Sequence, residues 1–387
     1  MYLRCCYLIA WTSLLGLFAA VGSARATTTD STILELIREL ESPSFAVRQN
    51  AQNVLIATGE QAIVPVRKAS SHQDREVRER CALILQQLEV GRRDRRLAQF
   101  LSGATSDSAE AVPGWVRLAS ICGDCPATRR LLVAMLRADW RLVQAAQDPN
   151  RIEVFESLFV RRCDDLSALR RKTRANLPRG RVAALLFVGA QHGRVMTDRS
   201  KHHVYGFCYQ LGNLSRLSND DLTLGPLRAL MGDWILQSND PNHAYLGITL
   251  ALRFSLAEGL TAAERLLSNE ELQPHILQTA ILAIAKFGSE GHCEPLLPLL
   301  DHKGVCARQV DASTRITYVT QIRDVALATL LHLSGEAPNE YGFSRVKTNP
   351  IYPFLPNSLG FADDESRSMA QARWRAYRAE RDKLASN

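Results

Sequence analysis

Two cysteines two residues apart, Cys122-Gly-Asp-Cys125, are the most chemically specific pattern in this chain. That spacing lets both sulfurs reach each other or one metal ion, so a redox pair, a local disulfide and half a zinc site are all open. Zinc would need a second pair, and none is near. A redox centre wants the motif at a helix start after a strand; Pro126 suits a helix start, but no strand–helix alternation surrounds it. Incidental structural thiols are the competing use. A looser set, His292, Cys293, His302 and Cys306, has zinc-ligand types at irregular spacing, with a Cys293–Cys306 disulfide, or buried thiols beside surface histidines, as alternatives. His192, Asp198, His202 and His203 fall in a Gly-, Arg-, Ser- and Lys-rich stretch that reads as a solvated loop rather than a metal site.

Arginine concentrates twice. One group is Arg92, Arg93, Arg95 and Arg96; the other is Arg161, Arg162, Arg170, Arg171, Lys172, Arg174, Arg179 and Arg181. Long-range attraction from the second would draw an acidic protein, a polyanionic glycan or a membrane surface, and Arg161, Arg162, Arg170, Arg171, Lys172 and Arg174 are its candidate contact residues. The competing use is a solvated helix face paired with Asp164 and Asp165. No Gly-x-Ser-x-Gly, His-Glu-x-x-His or phosphate-loop motif occurs, which removes most support from hydrolase and nucleotide chemistry. No cofactor is called for. Binding is therefore the leading expectation, with a thiol- or metal-dependent enzyme at Cys122/Cys125 or at the His292, Cys293, His302 and Cys306 set as the alternative. Polyanion binding through residues 161–181 is a weaker one.

The elements that position these residues are helices. The 387 residues are 46% hydrophobic and 22% charged, ample for a core, and the apolar positions recur at helical spacing almost throughout. Ile33, Leu34, Leu36, Ile37 and Leu40 predict one short helix. Ser42-Pro43-Ser44 ends it and caps the next, in which Val47, Ala51, Val54 and Leu55 are expected to face inward, and Gly59 closes the pair. Thirty residues on, Ile63, Val64 and Val66 and then Val77, Cys81, Ile84, Leu85 and Leu88 repeat the plan, so that Val47-Arg48 aligns with Val77-Arg78. The same spacing returns at Ile276, Ala280, Ile284 and Gly288, and again at Ile322-Arg323 with Ala326 and Leu330. Such self-similarity predicts an all-α solenoid of stacked helix pairs. The Arg after Val is expected to be structural, its stem covering apolar surface and its head pairing between units.

On the phrases Phe45-Ala46-Val47-Arg48, Arg75-Glu76-Val77-Arg78 and Gln321-Ile322-Arg323-Asp324-Val325-Ala326-Leu327, the sequence resembles bacterial HEAT repeats, especially the short phycobilisome-lyase-like kind. Within that family it is similar to secreted HEAT-repeat proteins of environmental bacteria, most without an assigned activity. The resemblance implies an interaction scaffold. The family's di-iron hydroxylases use His-Glu dipeptides, and this chain has none. Its bilin lyases and DNA glycosylases act on cytoplasmic partners.

Five segments are expected. Residues 1–26 read as an export signal, with Arg4, an apolar run from Cys5 to Val21 and the small-x-small site Ala24-Arg25-Ala26; an uncleaved anchor over residues 5–21 is the alternative. Loss of Arg4 and Arg25 would take the net charge from +7 to +5, a mild excess that argues against a nucleic-acid partner. HEAT-like repeats follow over 27–90, a helical middle with degenerate repeats over 91–242, and further repeats over 243–346. Within the last of these, Val305–Gln309 and Arg315–Val319 read as a small hairpin near 305–319 or as a long loop between two helices. Residues 347–360 are expected to be extended, before a capping helix over 365–384. The expected protein is an extracytoplasmic scaffold, periplasmic or secreted, presenting a solenoid surface to an unknown protein partner.

Overall fold

Helical spacing is realised as fifteen α-helices and one two-stranded sheet in the computed structural model, which describes residues 30–103, 112–148, 150, 152–172, 177–193, 196–211, 224–237, 240–269 and 272–385. The expected export signal and Arg174 lie outside these residues. Among the described residues no helix is long and apolar enough to cross a membrane. The chain divides into two compact units, one ending at Arg96 and one beginning at Leu97.

The first unit contains α1 (Asp30–Glu39), α2 (Phe45–Thr58), α3 (Ile63–Ala69) and the first turns of α4 (Arg75–Leu101). Its core is Ile33, Leu36, Leu40, Ala51, Leu55, Ala62, Val66, Val77, Cys81, Ile84 and Leu88. Four residues expected in or beside this core, Leu34, Val47, Val54 and Val64, are exposed instead. In α2, which packs chiefly on α1, only the narrow stripe of Ala51 and Leu55 is covered, so the flanking valines stay open.

The thirty-residue repeat has a concrete geometric basis. Arg48 Nη1 donates to the carbonyls of Ser42 and Pro43 at 2.6 and 3.0 Å, and Arg78 Nη1 donates to those of His72 and Gln73 at 2.8 and 2.7 Å. Each arginine thus holds the turn six and five residues before it, where the preceding helix leaves carbonyls without helical donors. Arg48 also reaches Glu76 of the next pair at 2.7 Å, pairing between repeats as its position predicted. Arg323, in the fourth copy, departs from this pattern, binding the side chains of Gln321 and Asp364. We expect Arg48→Met to lower the opening free energy of the α1 and α2 amides by about 1.5–3 kcal/mol, as for a charge-assisted bond. Arg78→Met, more exposed and bound only to carbonyls, should cost less; native-state hydrogen exchange checks the order.

The second unit comprises α5 (Trp115–Cys122), α6 (Pro126–Ala145), α7 (Ile152–Lys172), α8 (Arg179–Gln191), α9 (Asp198–Leu211), α10 (Leu224–Leu236), α11 (Pro241–Phe254), α12 (Glu258–Leu267), α13 (Pro274–Phe287), α14 (Ile322–Leu333) and α15 (Asp364–Ala385). Alternate helices pack on one another, α6 on α8, α8 on α10 and α10 on α12, and likewise α7 on α9, α9 on α11 and α11 on α13. Sequence neighbours pack as well from α6 to α9 and from α10 to α14. In α8 every residue from Val182 to Ala190 is buried, as expected of a helix apolar all round. Gly180 makes its approach to α6 feasible, since a Cβ there would lie 2.4 Å from the carbonyl oxygen of Ala134.

Strands β1 (Val305–Val310) and β2 (Thr317–Gln321) form the expected antiparallel hairpin, with a bulge between Val305 and Ala307. Its turn is organised by Asp311 Oδ1, which accepts from the backbone of Ser313 and Thr314 and the hydroxyl of Ser313. The segment over 347–360 is irregular, with one short 3-10 turn. It is tied down by Lys286, whose Nζ donates to the carbonyls of Leu252, Ile351 and Pro350 at 2.7, 2.9 and 3.3 Å.

Candidate functional site

Helix α7 carries most of the expected contact residues, and the structure separates them. Arg162 turns inward, pairing with Asp139 and, at 3.3 Å, with Asp165. Asp139 has φ −158° and ψ 80°, which breaks α6, and its Oδ1 accepts from the backbone of Leu142 at 3.1 Å, restarting the helix. Arg162 is therefore a structural partner of a largely buried carboxylate, not a free contact residue. A small cavity of about 180 Å³ lies over this pair, lined by Leu142, Leu166, Arg181 and Leu185 among others.

Arg161, Arg170, Arg171 and Lys172 are exposed. Arg161 borders an open groove lined by Glu153, Glu156, Asp164 and Asp165, so its charge is offset locally. Arg170, Arg171 and Lys172 form the last turn of α7, where cations are favoured by the helix dipole, and none has an anionic partner among the described residues. Beside them, α7 and α9 enclose a groove of about 330 Å³ lined by Val160, Cys163, Asp164, Thr197, Arg199, Ser200 and His203. Burial, and then the positive charges of Arg199, Arg171 and Arg170 against Asp164, hold the His203 imidazole below its ordinary pKa. Burial pushes the Cys163 thiol on the floor up to about 12, leaving it an apolar surface rather than a nucleophile. The groove thus has an apolar floor, an Arg199–Asp164 ion pair at 3.5 Å among its lining residues, and no activated group.

No family model and no curated protein matches this chain.

The other candidates stay apart. Among the described residues, no three of the His, Cys, Asp and Glu side chains come together where they could hold a metal ion. His292 Nδ1 accepts from the backbone of Ser289 at 3.0 Å, and His302 Nδ1 from that of Gly304 at 3.0 Å, so both rings cap turns. All seven described cysteines are free thiols; Cys122 ends α5, Cys125 precedes α6, Cys293 is the bend between two 3-10 helices, and Cys306 sits at the β1 bulge. The stretch of His202 and His203, expected as loop, is helix from Asp198 onward. There His202 faces His243 at 5.5 Å between ring centroids, and His203 packs near Phe207. His192 packs tilted against Phe155 and lies 2.8 Å from the carbonyl of Ala146. Sequence reasoning missed Arg199 and His203 as neighbours of the Arg170 turn. Spacing of twenty-nine residues gives no signal for such a pairing; only the packing of α7 on α9 creates it.

Proposed function

We propose that this chain is a HEAT-like α-solenoid acting as a non-enzymatic scaffold outside the cytoplasm, whose α7/α9 face docks an acidic segment of a protein partner. The alternate-helix packing supports the solenoid reading, because stacked pairs bury one continuous core while each contacts only its neighbours. The matched turn contacts of Arg48 and Arg78 support the HEAT likeness. The observation that carries the docking reading is the turn of Arg170, Arg171 and Lys172, without an anionic partner among the described residues, beside a groove with an apolar floor. A flexible acidic segment would set its carboxylates against the guanidinium forks and an apolar side chain against Val160 and Cys163.

A Glu-rich peptide with interspersed Leu, followed by fluorescence anisotropy, tests this. We expect binding that weakens with salt, and a loss of tenfold or more for the double variant Arg170→Glu and Arg171→Glu, equal to about 1.4 kcal/mol. Retention on heparin without peptide binding would move the function to polyanion capture. Capture of one stoichiometric protein from an envelope fraction, lost in the same variant, would name the partner.

A further inference from the structure

The Cys122-Gly-Asp-Cys125 loop is built asymmetrically. Cys122 closes α5 with its Sγ donating to the carbonyl of Pro226 at 3.4 Å, and burial first, then Asp233 and Cys125, pushes this thiol up to about 12. Cys125 is the residue before Pro126 at the start of α6, in extended conformation. Its Sγ is 3.2 Å from the hydroxyl of Thr128, a fully buried side chain whose Oγ1 is also 3.5 Å from the carbonyl of Cys122. The Thr128 hydroxyl and the first backbone N–H groups of α6 draw the Cys125 thiol below its ordinary pKa. The loop between the two is held in shape. Gly123 takes φ 76°, where a side chain would strain, and Asp124 is gripped by two bonds from Arg129 at 2.9 and 2.8 Å. Arg129 is itself fixed by the carbonyl of Phe100 and by the rings of Phe100 and Trp115.

We propose that Cys122 and Cys125 form a reversible redox pair with low-molecular-weight disulfides as oxidant, Cys125 attacking and Cys122 resolving. The pair is independent of the docking function. The Cys125 thiolate attacks one sulfur of glutathione disulfide, forming a mixed disulfide and expelling one glutathione thiolate. Cys122 then loses its proton to water and leaves the Pro226 carbonyl. Its thiolate attacks Cys125 Sγ, forming the protein disulfide and expelling the second glutathione thiolate. Two protein thiols are oxidised, one glutathione disulfide is reduced to two thiols, and the two protons released by the protein end on them. Thr128 accommodates the first step without moving its chain. Its hydroxyl turns from the Cys122 carbonyl to the Cys125 sulfur when that sulfur carries charge, which lowers the barrier to forming the thiolate.

The test is equilibration of the full chain in glutathione buffers of graded ratio, acid quench, alkylation and peptide mass mapping. The expected result is a Cys122–Cys125 bridge appearing in one two-electron transition. In the reduced wild type, brief alkylation near neutral pH should label Cys125 well ahead of Cys122, a readout that needs no variant. Cys122→Ser should accumulate the glutathione adduct on Cys125, and Thr128→Val should slow its formation severalfold. Absence of the bridge at every ratio overturns the proposal, as does labelling of Cys122 first.

Discussion

Replacing Arg367 by Met should destabilise the C-terminal end by about 3–5 kcal/mol at pH 7, the range seen when one partner of a buried ion pair is removed. Asp324 is 1% exposed and Arg367 3%, and Arg367 Nε donates to Asp324 Oδ1 at 2.7 Å. Arg367 also binds Asp364 and, at 3.0 Å, the carbonyl of Val319. Asp324 Oδ2 accepts from the backbone of Gln321 at 2.8 Å, capping α14. Burial pushes the Asp324 pKa up in spite of Arg367 and the Gln321 amide. An acid whose folded pKa is raised costs stability when ionised; that cost starts to shrink as pH falls through the folded value and is gone only below the unfolded one. Without Arg367 the pKa rises further, so the deficit of the variant should be largest at pH 7 and narrow toward pH 5. The double variant Asp324→Asn, Arg367→Met should recover most of it. Pulse proteolysis across a urea series, read by cleavage in α15, measures all three; a loss under 1 kcal/mol at pH 7 would show that α14 and α15 are held by apolar contacts alone.

The second large effect is expected at Arg162. Arg162→Met strips Asp139 of its cationic partner and leaves a carboxylate that is 8% exposed with the Leu142 amide as a donor. Because Arg162 is a third exposed, water relieves part of the loss, and about 2–3 kcal/mol is expected, below the fully buried range. The neighbouring Arg161→Met, on an exposed and locally offset position, should change stability by under about 0.5 kcal/mol. Hydrogen exchange of the amides after the break in α6 distinguishes the pair. Equal effects at 161 and 162 would mean that the Asp139 contact contributes nothing.

Much of the helical pattern was legible because burial and period agree. The last helix, expected over 365–384, spans Asp364–Ala385, and Ala51, Leu55, Val77, Cys81, Ile84 and Leu88 are all buried on the stripes their spacing marks. The break at Asp139 was not legible, because Asp is tolerated in helices and nothing local marks it; the cause is a side chain twenty-three residues later. The hairpin was visible from its β-branched residues, but its strands run to Val310 and Gln321, since the Asp311 turn and the bulge set the register. Valines 47 and 54 show the limit of periodicity. It identifies an apolar stripe without telling how wide a neighbour will cover it. The arginines at 161–172 looked alike in sequence and differ because consecutive helix positions point in different directions.

Lys286 gives the chain a direction of assembly. Its three carbonyl partners come from residues thirty-four positions earlier and sixty-four and sixty-five positions later, so this one ammonium joins two segments that no local turn could bring together. Closing so long a loop costs entropy that the contacts recover only after α11 and α13 are stacked. The irregular segment over 347–360 therefore docks late, after the helices beneath it, and works as a latch on a stack already built. A chain ending before residue 347 loses Phe354, Leu359 and Phe361 from the core and Arg367 from Asp324, so it should hold the stack less firmly than the intact chain.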